Sequence, residues 1–266
     1  MSKLFLGTSG WSYDDWVGNF YPPELPKNKL LIHYSTVYNT VEIDSTFYAI
    51  PAKGVVKNWA RMVPDGFHFS VKAPKVITHE KVLEDCEEDL NIFLDHMSLL
   101  GDKLGPILFQ FSYGFKPGDK FDALQHFISN LPKGYDFALE VRSRKWLFDE
   151  FTNLLRTHNI ALAQIDHPWF PKLEYPTADF AFVRWLGDRN KIESDFSHIR
   201  FDRTKDYEWW AEVIHDALPN LRKLYAYMNN HYAGHSPTSL DRFREIYEGH
   251  NASLAQDGEK VTKFLP

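Results

Sequence analysis

The chain has 266 residues, 44% hydrophobic and 25% charged, a balance that supports a full globular core. Its net charge of -6 argues against a broadly basic surface of the kind that binds nucleic acid regardless of sequence. The single cysteine, Cys86, excludes an internal disulfide framework, and its acidic setting in LEDCEEDLN works against a reactive thiolate.

The opening MSKLFLGTSG lacks the apolar run of a signal peptide, and no later stretch approaches the ~18 apolar residues of a membrane span. A soluble cytoplasmic protein is expected. The first β-rich segment is KLFLGTS (3–9), followed by the aromatic loop GWSYDDWVGNFYPP (10–23). TVEIDSTF (40–47) and FHFSVKAP (67–74) are the second and third. Helical spacing over 87–101 leads into GPILFQFS (105–112), and FDALQHFISNL (121–131) leads into DFALEVR (136–142). FDEFTNLLRTHN (148–159) precedes ALAQIDH (161–167), and DFAFVRW (179–185) is the seventh strand. An irregular, highly charged stretch, 187–206, reads as a solvated loop or a lid. Then come the helical YEWWAEVIHDAL (207–218), the strand KLYAYMNNH (223–231) and the helical TSLDRFREIYEG (238–249).

Alternation of apolar strands with helices predicts a parallel sheet. Eight such units match a (β/α)8 TIM barrel, a single domain over 1–266. The alternative, a doubly wound open sheet, lacks its GxGxxG signature after the first strand.

Barrels of this type bind ligands at the carboxyl ends of their strands. Alternation along each strand assigns Thr8, Glu42, Asp44, Ser70, Lys72, Gln110, Glu140, Arg142, Gln164, Asp166, Arg184, Asn229 and His231 to the inward face at that end. A packed barrel alone would place Val, Ile and Leu there, because burying a lone charge costs several kcal/mol. Two readings follow: an ion-pair network that plugs the barrel, or a reaction site. For the site, Lys72, Glu140, Asp166 and Glu42 are the catalytic acid/base candidates. Arg184, Arg142 and a helix starting at Ser236-Pro237 would hold an anion. Thr8, Trp11, Asp44, Gln110, Asn229, Asn230 and His231 would contact the ligand. Phe47-Tyr48, Trp146, Trp169-Phe170 and Trp185 add aromatic faces near strand ends.

The expected partner is a small ligand with an anionic group and a flat or sugar-like body, with no cofactor and no metal. Three rivals stand beside this reading. His79, His167 and His231 follow strand ends near carboxylates, as a metal-dependent phosphoesterase would need, although no HxH or HxxxH occurs on a strand. Glu42 and Glu140 could flank a glycosidic bond if their spacing allowed it. A non-catalytic nucleic-acid or protein binder would need a basic apron around the mouth.

The motifs GTSGWSYDDWVGNFYP, VEIDSTFYAIP, FHFSVKAPKVITHE, ILFQFS, LEVRSRKW, FVRWLG and YAYMNNHYAGHSP run in order over almost the whole chain. By them the sequence resembles the YecE-like family, domain of unknown function 72. The resemblance implies a TIM barrel and no established reaction; likeness of fold to xylose-isomerase and endonuclease-IV type barrels suggests a nucleic-acid role. The family's second-strand motif often reads Glu-Ile-Asn, so Asp44 after Glu42-Ile43 adds a carboxylate to the pattern.

Overall fold

The computed structural model describes residues 3–262. Nine strand segments build the wall: β1 (Lys3–Thr8), β2 (Thr40–Ile43), β3 (His68–Lys72), β4 (Leu104–Gln110), β5 (Phe137–Glu140), β6 (Ala161–Leu162), β7 (Gln164–Asp166), β8 (Phe180–Trp185) and β9 (Lys223–Met228). All pair in parallel, in two ladders ordered β1-β9-β8-β7 and β2-β3-β4-β5-β6.

The ladders join at two seams. At the first, the Gly10 N–H donates to the Glu42 carbonyl at 2.9 Å, and the Asn39 amide bonds to Leu6 N–H and Leu4 C=O at 3.0 Å each. Here β1 approaches β2 so closely that a Cβ on Gly7 would sit 2.0 Å from the Thr40 carbonyl oxygen, which only glycine avoids. At the second seam, β6 and β7 are one strand interrupted at Ala163, with β6 paired to β5 and β7 to β8. The ring therefore closes on eight strand positions, as the sequence pattern predicts.

Helices α1 (Leu30–Val37), α2 (Lys53–Met62), α3 (Glu87–Met97), α4 (Pro117–Ser129), α5 (Asp149–Thr157), α6 (Thr204–Ala217), α7 (Asn230–Ala233) and α8 (Ser236–Thr262) surround it. In α4, Pro117 occupies the first turn and Leu124, Phe127 and Ile128 form the buried stripe, the i, i+3, i+4 spacing of a helix packed on a sheet. Acidic Asp149 and Glu150 open α5 and Arg156 closes it, each favoured by the helix dipole. Three helices, α1, α2 and the short α7, go beyond the predicted set.

One predicted unit is incomplete, because no helix joins β7 to β8. Residues 167–179 cross irregularly instead. Phe170 and Leu173 are buried there. The Thr177 hydroxyl donates to Ile160 C=O at 2.6 Å and accepts the Leu162 N–H at 2.7 Å, satisfying the unladdered side of β6.

The barrel interior is polar in layers. Low in the barrel, His68 Nδ1 meets the Tyr225 hydroxyl at 2.7 Å, and Phe5 stacks against both rings. Above it, Ser70 bonds to the Tyr227 hydroxyl at 2.5 Å, Tyr227 to Thr40 at 2.8 Å, and Thr40 donates to His68 C=O at 2.9 Å. This layer is neutral and fully paired. The charged layer lies one step higher.

Candidate functional site

Arg184, near the end of β8, is the centre of the charged layer. Its Nη1 donates to Glu140 Oε2 at 2.6 Å and its Nη2 to Glu42 Oε1 at 2.5 Å. Asp44 Oδ1 lies 3.6 Å from the same Nη2. Arg142 Nε is 2.5 Å from Glu140 Oε1, and Lys72 Nζ is 3.9 Å from Asp44 Oδ1. The ends of β2, β3, β5 and β8 thus meet in one network, because residues two apart on each strand face the axis.

The two glutamates are treated differently. Burial alone would raise Glu140, but Arg142 and Arg184 override it and hold the carboxyl down to about 2. Glu42 shares a single guanidinium with Glu140 and Asp44, and its Oε2 finds no hydrogen-bond donor among the described residues. Burial therefore wins over the Arg184 charge and, with Asp44 adding repulsion, lifts Glu42 to about 7. Arg184 is itself pushed well above its ordinary value, burial being outweighed by Glu42, Glu140 and Asp44. For Lys72, burial lowers the ammonium pKa, with Asp44 opposing and Arg184 assisting.

Above this layer opens a cavity of about 630 Å³. Asp44, Lys72, Gln110, Arg142, Arg184 and Asn229 line it, so six of the expected residues converge. Glu42 and Glu140 are fully buried beneath, as its floor. Since both bind the one Arg184 guanidinium, they cannot flank a glycosidic bond. Arg184 lines the cavity as expected, but both of its terminal nitrogens already carry carboxylates. Arg142 is better placed, with only Nε committed.

The other expected residues lie elsewhere. Asp166 registers with Trp185 and Gln164 with Val183, while Arg184, facing inward, registers with Ile165. Asp166 and Gln164 therefore point outward, opposite to the expected face. Asp166 Oδ2 accepts from Trp210 Nε1 and the Tyr232 hydroxyl at 2.8 Å each, with Lys172 Nζ at 3.1 Å. Thr8 faces α1: its N–H donates to the Tyr34 hydroxyl at 2.8 Å and its hydroxyl to Gly10 C=O at 2.6 Å. Trp11 packs edge-on against Trp59 of α2.

The helix beginning at Ser236 does form, but its first donors are spent. Asn230 Oδ1 accepts from Ser236 N–H and Oγ–H and from Trp16 Nε1, and His235 Nδ1 accepts the Thr238 N–H. No anion site remains open there. His231 Nδ1 donates to Ile192 C=O at 2.5 Å under the Phe196 ring. Phe196 N–H binds Asp15, and Arg200 N–H binds Ala233 C=O, so 187–206 is a tethered wall whose Gly187–Asn190 end borders the cavity.

His79 and His167 reach the mouth, each with its pKa lowered first by burial and then by a cation, Lys72 for His79 and Arg142 for His167. Among the described residues no group of three or more His, Cys, Asp or Glu is arranged to hold a metal ion. Cys86 is buried, and burial pushes its thiol up to about 11.

Tyr113, Ser112, Asp188 and Arg189 also border the cavity and escape the sequence reading. Tyr113 follows the fourth strand directly in FQFSYGF, a signal of the same kind as Phe47-Tyr48. Tyr48, Tyr113 and Trp169 form an exposed aromatic rim, at 74%, 52% and 57% exposure, far above what core packing would leave.

A closed parallel barrel whose carboxyl-end mouth opens over a buried ionic floor defines the class of this protein: a TIM-barrel protein with a polar mouth. The chain belongs to the family described as "Protein of unknown function DUF72", whose profile matches residues 5–262. It is 32% identical to the UPF0759 protein YecE of Escherichia coli K12 over 139 residues. That match covers 52% of this chain and 48% of the relative, about half the length of each. The UPF0759 protein YunF of Bacillus subtilis is 22% identical over 277 residues, covering 95% of this chain and 97% of that protein. The crystal structure of a DUF72 family protein from Thermotoga maritima superposes with a TM-score of 0.78 at 27% identity, over 92% of this chain and 99% of that one. No described helix is long and apolar enough to cross a membrane.

Proposed function

We propose that the chain is an enzyme whose mouth cavity binds a small ligand with an anionic group and a flat or sugar-like body and moves protons on it. The observation that carries this reading is the meeting of a buried charge network with an open cavity walled by Asp44, Lys72 and Arg142. A network that only plugged the barrel would satisfy its own atoms. Here Glu42 Oε2, Asp44 Oδ1 and Arg184 Nε remain without hydrogen bonds among the described residues, which is costly in a merely structural cluster.

In this reading Arg142 holds the anion, oriented by Glu140 through its Nε. Asp44 and Lys72, on adjoining strand ends, move protons, and Arg184 with its two glutamates forms the platform that fixes their field. Tyr48, Tyr113 and Trp169 cover the ligand body. Hydrolytic or other acid/base chemistry on a phosphate- or sugar-bearing compound fits these parts.

Calorimetric titration with ribose 5-phosphate against ribose tests the reading. The phosphate-bearing sugar should bind more tightly, and Arg142→Gln should weaken it about tenfold to hundredfold, the worth of a hydrogen bond to a charged group. Equal binding of the neutral sugar, or no response to Arg142→Gln, would overturn it.

A further inference from the structure

Lys72 differs from the well-paired lysines of the fold. Lys27, Lys53, Lys75, Lys81, Lys120 and Lys172 each hold a carboxylate at 2.6–2.8 Å. Lys103 donates to the carbonyls of Ala60 and Val63 at 2.8 Å. Lys72 makes no such bond. Among the described residues its sole ion pair, to Asp44, is 3.9 Å long, and its side chain is only 13% exposed. The ammonium sits 4.2 Å from the centre of the Phe47 ring, and burial, assisted by the Arg184 charge below, disfavours it against the pull of Asp44. An amine kept out of water, next to another cation and short of a hydrogen-bonded carboxylate, gives up its proton more readily than a surface lysine and can then act as a nucleophile. It also borders the cavity, where an electrophile can reach it.

From this geometry we infer that Lys72 is a covalent nucleophile that forms an imine with an aldehyde or ketone carrying an anionic group, such as an open-chain sugar phosphate or a 2-oxo acid. The inference rests on the mouth being the reaction site and narrows its substrate to a carbonyl compound. The Nζ lone pair attacks the carbonyl carbon, a C–N bond forms, and the C=O π pair moves to oxygen. Asp44, the carboxylate facing Nζ, takes a proton from the new ammonium and returns one to that oxygen. With one further proton from solvent the hydroxyl leaves as water, and the nitrogen pair closes the C=N bond of the iminium. No oxidant or reductant is consumed. Arg142 holds the anionic group away from the amine, so that attachment and anchoring use different side chains.

Reductive trapping tests this on the intact chain. Protein incubated with dihydroxyacetone phosphate, pyruvate or neutral dihydroxyacetone, each with cyanoborohydride, is digested and the modified lysine located by mass. The expected result is the secondary-amine adduct concentrated on Lys72 with one or both anionic probes, and weak with dihydroxyacetone. The phosphate and carboxylate probes tell which anion the site takes. Lys72→Arg, which keeps the positive charge beside Asp44, should lose the adduct while keeping its melting temperature. Label spread evenly over surface lysines, equal labelling by the neutral probe, or full labelling of Lys72→Arg would overturn the inference. Retained ribose 5-phosphate binding with no adduct on Lys72 would sink the imine alone, whereas loss of both would sink the mouth as a site.

Discussion

Asp166 and Arg184 end neighbouring strands one register step apart, and both are buried ions, yet the barrel uses them oppositely. Asp166 turns outward into the helix layer, where one oxygen collects an indole N–H, a phenol and a lysine. Every one of those partners is local to the wall, and Lys172 is further tied to Asp206 at 2.6 Å. Arg184 turns inward and gathers carboxylates from two other strands, leaving acceptor and donor atoms unpaired beneath a cavity. The contrast teaches that burial of charge alone does not single out a site; what sets the proposed one apart is unfinished pairing that borders open space.

The sharpest way to test this contrast is Arg184→Met. It strands Glu42 and Glu140 without their shared cation, and unfolding in urea near neutral pH should show a loss of about 3–5 kcal/mol. A loss no greater than that of an outer-wall change would erase the distinction.

Next in size is the pH dependence of the same unfolding. Glu42 stands at about 7 in the fold against 4.5 as a free side chain, so the folded chain holds a proton there that the unfolded chain releases. Stability from this group is fully present below about 4.5 and is lost as pH rises through about 7. Glu140, at about 2, has the reverse sign: its stabilisation is present above 4.5 and is lost as pH falls toward 2. Glu42→Gln should therefore flatten the decline on the neutral side and leave the acid-side loss in place. An unchanged slope between pH 4.5 and 7 would show that Glu42 is already ionised in the fold.

The smallest effect belongs to Asp166→Asn. The amide oxygen can still accept from Trp210 and Tyr232, so only the charge opposite Lys172 disappears, at about 1–3 kcal/mol in the same urea experiment. Binding of ribose 5-phosphate should not move. A large binding defect would return Asp166 to the site and cancel the distinction between the two faces.

Much of this was legible from residues alone. Strand positions and their parallel order follow from apolar runs separated by helical spacing, and parity along strands two, three, five and seven correctly brings Glu42, Lys72, Glu140 and Arg184 together. Strand six departs from the expectation that polar residues at a strand end face the mouth. Gln164 and Asp166 alternate with Ile165 as expected, but it is Ile165 that faces the axis. Nothing near Asp166 in sequence announces Tyr232, 66 residues away, as its partner. Thr8 failed for a related reason: the close approach of β1 to β2 needs Gly7 on the inner face, which turns Thr8 outward. The Ser236-Pro237 signature located a helix start correctly, but Asn230 and His235 occupy the donors that would have served an anion. Whether a helix terminus is open depends on tertiary neighbours, which local spacing does not encode.

The missing crossover helix between β7 and β8 has a consequence for how this mouth can vary. His167 and Trp169 enter the rim from that irregular segment, whereas Leu173 and Thr177 fasten its return to the wall. Between the fastenings, Glu174 and Tyr175 face solvent and belong to no ladder or helix. Glu174 borders the end of α6 at Ala217 and Asn220, so a change of length there falls at the foot of the barrel, and the rim is reshaped instead by exchange of His167 and Trp169, sparing the eight staves beneath.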